Sequence, residues 1–332
     1  MNYTEFVGID VSKLTLDVSL YHIKKHKEFG NSQNGLKEMM SWIKSVTKST
    51  ESNSFLFCLE NTGLYNLPFC CFADDLHLNY CQESALRIKL SFGLTRGKND
   101  KIDASRIARY CYLHRDELLL SSLPAKAIQR LKKLLSLRDQ LVIHNAGFKA
   151  CLKEASGFLD SKEMKEYLSV QKSLINTYEK KIKVLDKAIS DTLESDPELK
   201  QINKCVQTVP GIGPVITAYM IAYTNGFMAF DDWRKFACYI GIAPFDNRSG
   251  TSLKGKTKIS SFANKKIKAI VNSGARSAMQ SCKEYQQYYQ RRIEEGKNEH
   301  STLNIIRNKI IARAFACAKR KTPYVNMIKY AA

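Results

Sequence analysis

The chain has 332 residues, 44% of them hydrophobic, which is enough for two or three domain cores. Fifty-two Lys and Arg against 32 Asp and Glu leave a formal charge of +20, a surplus that selects polyanionic partners and sets the chain apart from ordinary soluble enzymes. No apolar run reaches the roughly 18 residues of a membrane span, and the opening MNYTEF is not a basic-then-apolar leader, so the expected location is the cytosol.

In chain order, FVGID (6–10) is a short apolar run that predicts a buried strand, and LTLDVSLY alternates as a half-exposed strand does. KEFGN predicts a third strand. LKEMMSWIKSV has helical spacing behind the turn residue Gly35. SFLFCLE predicts another buried strand, PFCCFADDL a helix, HLNYCQ a fifth strand, and residues 84–92 and 100–114 two further helices. Three strands, helix, strand, helix, strand, helix is the order of the ribonuclease H-like fold, assigned to residues 1–122.

Residues 123–200 hold almost no glycine. Leu134, Leu137, Leu141, His144, Phe148 and Cys151 recur at alternating threes and fours, as do Ile175, Tyr178, Ile182, Leu185 and Ile189. Two such stripes, broken near Gly157 to Ser161, predict an antiparallel helical hairpin, a coiled-coil arm. Residues 201–332 are mostly helical and basic. From 251 onward, eighteen Lys and Arg face four Glu and no Asp, so this last quarter carries +14 of the +20. Ten scattered cysteines show no CxxC pair, which argues against structural zinc and for reduced core thiols.

Asp10 ends the first predicted strand and Glu60 the fourth, neighbours in a ribonuclease H-like sheet. Asp100 and Asp103, three apart, share a helix face. Singly, each reads equally well as a cap or a solvated residue, Asp100 as an N-cap. Converging, each pair costs on the order of 4 kcal/mol at about 4 Å and an effective dielectric near 20. Mg²⁺ removes that cost and prefers oxygen ligands, and two such ions can polarise a phosphodiester. Arg96 and Lys98, just upstream, are candidate phosphate contacts.

VPGIGP between helical stretches resembles a helix-hairpin-helix, in which Gly211 and Gly213 let backbone N–H groups approach a nucleic-acid phosphate. The expected Gly/Ser/Lys loop from Pro244 to Lys258 places Ser249 before Gly250, among Arg248, Lys254, Lys256 and Lys258. Composition alone does not separate Ser249 from its neighbour Ser252 or from an ordinary loop serine. No triad partner is near, so its activation as a nucleophile requires a metal or another domain. Arg276, Arg291, Arg292 and Lys309 are candidates to hold the DNA backbone or an RNA.

With GIDVSK, LENTG, GKNDKIDASRIA, VPGIGPVITAYMIA and YIGIAPFDNRSGTSLKGKTKIS in this order, the chain resembles the DEDD transposases of insertion-sequence family 110, the group of Piv-type invertases and RNA-guided bridge recombinases. The resemblance spans nearly the whole chain. It implies a RuvC-like N-terminal domain whose four acids bind Mg²⁺, and a basic DNA-binding transposase domain whose nucleophile is Ser249. It further implies an active site shared between protomers of a homo-oligomer, dimer or tetramer, with DNA and a structured guide RNA as partners. One departure stands in ISSFANKK. Ser261 replaces the family's lysine and Ala263 its glycine, while Asn264 matches, and an alanine where positive φ is needed predicts a strained turn. The expected function is therefore Mg²⁺-dependent DNA recombination through Ser249. The rivals are a Holliday-junction nuclease that uses water and a non-catalytic nucleic-acid-binding decayed transposase. A tyrosine nucleophile lacks a recognisable Arg/His constellation.

Overall fold

The computed structural model describes residues 3–93, 99–158, 164–249, 253–259 and 262–326, with backbone alone for 156–158, 246–249 and 253–258. The chain divides into two compact units, Met1–Leu123 and Pro124–Ala332. No described helix is long and apolar enough to cross a membrane.

The first unit contains β1 (Glu5–Val11), β2 (Thr15–Leu20), β3 (His26–Gly30), α1 (Gln33–Thr47), β4 (Phe55–Glu60), α2 (Leu67–Asp75), β5 (Asn79–Glu83), α3 (Ala85–Ser91) and α4 (Asp100–Leu113). The sheet order is β3-β2-β1-β4-β5, with β1 antiparallel to β2 and parallel to β4, and β4 parallel to β5. This mixed order is that of the ribonuclease H-like fold expected from the strand-helix sequence. Alternation along each strand sends Val7, Ile9, Val11, Phe57 and Leu59 into a core with Leu36, Met39 and Phe69 of α1 and α2. It sends Phe6, Leu56, Cys58 and Cys81 into a second core with Ile107, Tyr110 and Cys111 of α4. Because β1 and β4 are covered on both faces, their sequences read as nearly unbroken apolar runs.

The second unit begins with α5 (Lys126–Phe158) and α6 (Lys165–Glu194). They run antiparallel: Arg138 pairs with Asp186 at 2.6 Å, Lys149 pairs with Glu179 at 2.8 Å, and Phe148 stacks on Tyr178 at 5.7 Å between centroids. The chain continues through α7 (Pro197–Gln207), α8 (Pro214–Tyr223), α9 (Trp233–Tyr239), β6 (Phe245–Ser249), β7 (Leu253–Lys258), α10 (Lys265–Ser281), α11 (Lys283–Glu294) and α12 (Glu299–Arg320). Ile128, Leu131 and Leu135 of α5 and Ile189 and Leu193 of α6 share one core with Val206, Tyr219, Phe236, Val271 and Ile310. The root of the helical arm is thus continuous with the C-terminal helices, and no break in packing falls at residue 200.

The stretch from Pro244 to Lys258 is not the expected loop. β6 and β7 pair antiparallel, with Arg248 opposite Lys254 and Ser249 opposite Leu253. A hairpin with so little apolar side-chain surface is held chiefly by its backbone ladder and leaves no alternating apolar pattern to read. The expected strain at Ala263 is also absent. Ala263 is not among the positive-φ residues, whereas Gly241 is, at φ +71°, and a Cβ on Gly241 would overlap the Ala263 side chain. The adjacent Asn264 caps α10, its Oδ1 accepting from the Ile267 N–H at 3.2 Å.

Candidate active site: carboxylates at the strand ends

Asp10 is the penultimate residue of β1 and Glu60 the last of β4. The two strands are parallel and their register pairs Ile9 with Leu59, so the two acids follow side by side, both half-buried. Asp10 faces α4, because Gly8, two residues earlier, lies directly against that helix. A Cβ on Gly8 would overlap the backbone nitrogen of Ala108 and oxygen of Ala104. This close approach sets the distance between strand and helix, and with it the position of the acids in the first turn of α4, Asp100 and Asp103. The N-cap is Asn99, whose Oδ1 accepts from the Lys101 N–H at 2.9 Å. Asp100 is therefore free of capping duty, contrary to the alternative its sequence position allowed. Asp103 is oriented by Arg106, with Nη1 to Oδ1 at 3.0 Å.

The electrostatics report the convergence. The Asp10 pKa is raised from 3.8 to about 6, first by burial, then by the charges of Asp103, Asp100, Glu60 and Asp17. All four expected acids are brought to one neighbourhood, although the carboxylates do not close into a tight cluster. Among the described residues, the one group of three or more His, Cys, Asp or Glu side chains whose ligand atoms lie within 4.8 Å of one another is Cys58, Cys81 and Cys111.

The register extends the acidic row beyond those four. Asp17 stands opposite Asp10, Glu28 opposite Asp17, and Glu83 opposite Glu60. One of these additions is neutralised locally, since Glu83 holds Arg87 Nη1 at 3.1 Å through both oxygens, while Asp17 meets His26 Nε2 at 2.8 Å and its charge still adds to the push on Asp10. The spacing of these additions in the sequence gives no sign of them, because strand pairing puts them in line. Sequence reasoning also missed two asparagines. The side-chain amide of Asn31 donates to the Ser12 oxygen at 2.9 Å and to the Tyr65 oxygen at 3.0 Å, tying the turn after Asp10 to the one after Glu60. Buried Asn66 donates to the Glu60 carbonyl at 2.7 Å.

In the second unit, Ser249 is the last residue of β6. Its side chain, those of Arg248, Lys254, Lys256 and Lys258, and residues Gly250, Ser252 and Ser261 lie outside the described set, as do Arg96 and Lys98. Gly211 takes φ +87° and abuts Gly274 of α10, where a Cβ on either would overlap the other's carbonyl. Gly213 is the N-cap of α8, with open space where a Cβ would stand. Of the candidate cations, Arg292 pairs with Glu295 at 2.6 Å, Arg291 with the same residue at 3.7 Å, and Lys309 sits 3.6 Å over the Tyr288 ring. Arg276, on α10, repels the neighbouring Arg307. Exposed pairs of this kind exchange for phosphate at little cost.

Two family models match the chain, a DEDD-type transposase model of the IS110 group over residues 7–155 and one described as transposase, IS116/IS110/IS902 family, over residues 203–290. The chain is 23% identical to the pilin gene-inverting protein of Moraxella bovis, over 96% of its own length and 97% of that protein's. Identity and coverage are the same for the pilin gene-inverting protein of Moraxella lacunata. The first model spans β1, β4 and α4 with all four convergent acids, the second the Gly211–Gly274 contact and Ser249, and the relatives run end to end across both. The chain belongs to the IS110 family of transposases.

Proposed function

We propose that the chain is the recombinase of an insertion sequence, in which Asp10, Glu60, Asp100 and Asp103 hold Mg²⁺ and Ser249 is the nucleophile, acting within a homo-oligomer directed by a structured RNA. As a member of this family it cuts and rejoins DNA. The observation that carries the metal assignment is the placement of Asp10 and Glu60 at adjacent ends of parallel strands, with Asp100 and Asp103 in the first turn of the helix packed on Gly8, and the raised pKa of Asp10 agrees with it. A half-buried acid facing like charges is a poor resting state without a cation, and a donor set of carboxylate oxygens alone suits a hard divalent ion. Bound there, such an ion would polarise the phosphodiester and offset the charge that develops on it.

The chain's own residues do the rest. Arg106 fixes the Asp103 carboxylate, Asn31 and Asn66 fix the backbone behind Asp10 and Glu60, and the Gly8 contact fixes α4. Ser249 attacks phosphorus as its hydroxyl loses a proton. One Oγ–P bond forms and one P–O bond of the strand breaks, leaving a free hydroxyl end. The ester keeps the phosphodiester energy, so the reverse attack rejoins strands without an external source. The acids and Ser249 belong to separate units, which suits a composite site assembled from two protomers. Inversion, the activity named for the relatives, and transposition need the same cut and rejoining.

The test is complementation. Neither Ser249→Ala nor Asp10→Asn recombines alone; mixed, they regain activity because one composite site is intact. Wild type leaves protein covalently attached to cleaved DNA. Full cleavage without adduct, unaffected by Ser249→Ala, establishes a water-using nuclease instead, and an adduct lost only with Ser252→Ala moves the nucleophile to that serine. Site-specific cleavage by the purified chain with no RNA present overturns guidance.

A further inference from the structure

Beneath the acidic row lies a group of side chains the recombination chemistry does not use. Cys58 on β4, Cys81 on β5 and Cys111 on α4 are each fully buried, and their sulfurs lie within 4.8 Å of one another. Topology makes the group: Cys58 and Cys81 are register partners on adjacent parallel strands, and Cys111 lies across from them on the helix docked over that face. Cys58 precedes Glu60 by two residues and Cys81 precedes Glu83 by two, so the sulfurs sit about 7 Å below the carboxylates on the same face. Spread over 54 residues without a CxxC pair, the trio is invisible to spacing rules.

We propose that Cys58, Cys81 and Cys111 form a buried three-sulfur site for a soft trivalent metalloid, the class of trivalent arsenic. Softness follows from the donor set, since thiolates select soft ions. Sulfur bonds of about 2.3 Å, set nearly at right angles around a pyramidal trivalent centre, hold sulfurs about 3.4 Å apart, so a closing of at most about 1.4 Å suffices. Charge selects among soft ions. The surroundings are apolar: Phe6, Leu56, Ile88 and Ile107 share this core, and burying net charge there is expensive. Three thiolates around a monovalent ion leave −2 and around zinc −1. Zinc also wants a fourth ligand, and among the described residues no further His, Cys, Asp or Glu joins the group. Around trivalent arsenic the charge is zero and the coordination complete. The step balances without redox change: arsenous acid, As(OH)₃, condenses with three thiols, forming three As–S bonds and releasing three waters. What is given up is small, weak S–H donation from Cys81 to the Phe57 carbonyl at 3.4 Å and from Cys111 to that of Leu56 at 3.7 Å. A filled site ties α4 to β4 and β5 directly below the acids.

The test is titration of the full chain, reduced with a phosphine and not with a competing dithiol, with sodium arsenite. One equivalent is expected to bind tightly. The intact mass should rise by one arsenic and fall by three hydrogens, the signature of three sulfur bonds, and thermal stability should rise with it. Cys58→Ala, Cys81→Ala and Cys111→Ala each lower affinity at least about tenfold, while Cys151→Ala and Cys205→Ala do not. A wild-type adduct that retains oxygen, meaning two sulfur bonds and a hydroxyl, overturns the site even where a variant fails to fold. So does an adduct that survives all three substitutions. Stoichiometric binding of cadmium with refusal of arsenite overturns the charge argument.

Discussion

The two units differ in charge more than in size. Residues 1–123 contain 15 Lys and Arg against 14 Asp and Glu, a net +1; residues 124–332 contain 37 against 18, a net +19. The near-neutral unit carries the convergent acids and the basic unit the candidate nucleophile. An acidic row repels a phosphodiester backbone, so the unit that carries the acids is the one least able to attract DNA unaided. Affinity and chemistry are therefore separable properties of this molecule, with different physical determinants. Strand register and the Gly8 contact fix the acids to within a side chain's length, whereas attraction to a polyanion needs only surplus charge on a face and tolerates imprecise placement.

That division can be broken by experiment. The largest effect is expected of Asp10→Asn, which should lower cleavage at least about a thousandfold while changing affinity for DNA less than about twofold; a matching loss of binding would erase the distinction. Gly8→Ala and Gly211→Ala should each cost about 3 kcal/mol, the upper end for overpacking, because each new methyl meets backbone. Calorimetry should place the first loss in the N-terminal unit and the second in the C-terminal one, and a shared transition would show that the units do not unfold independently.

A smaller effect concerns pH. The folded Asp10 binds its proton more tightly than the unfolded one, about 6 against 3.8. Its ionisation therefore costs stability. The cost is absent below about pH 4, grows as pH rises, and is complete above about pH 6, at no more than about 3 kcal/mol. In buffer free of divalent ions, Asp10→Asn should be the more stable protein at about pH 8, with the advantage gone at about pH 4; an advantage independent of pH would mean the acids do not interact. Asn31→Ala should lower cleavage about tenfold with about 1 kcal/mol of stability lost, seen as a fall in kcat with DNA affinity retained. Smallest, replacing Lys254, Lys256 and Lys258 with Ala should each reduce the salt dependence of DNA binding by about 0.9 log unit per log unit, while replacing Lys24, Lys25 and Lys27 should leave it unchanged.

Much of the first unit was legible in the sequence because its strands bury both faces. FVGID and SFLFCLE announced β1 and β4, and the acids at their ends marked the candidate site. Asp17, Glu83 and the three thiols were not legible, because cross-strand neighbours are set by register, which a single strand's sequence does not contain. Gly8 looked like one more small residue in an apolar run; only the path of α4 gives it a role. In the second unit α5 and α6 follow the two apolar stripes and the rest was legible only as mostly helical; the β6–β7 hairpin was not legible, since it lacks the alternating apolar face that would betray it. The substitution at residue 263 was misread for a related reason: the position needing positive φ is Gly241, 22 residues earlier, which faces Ala263.

The paired helices α5 and α6 extend about 50 Å and 45 Å from end to end, and polar groups clamp them part-way along. Asp139 of α5 engages both Tyr219 of α8 and Lys266 of α10, while Arg138 grips Asp186. A rod held this way is a lever. The far end of α5 lies about 28 Å beyond Asp139, and one degree of rotation at the clamp sweeps it through about 0.5 Å, so a change of partner at Asp139 too slight to disturb the core would be felt many residues away as displacement.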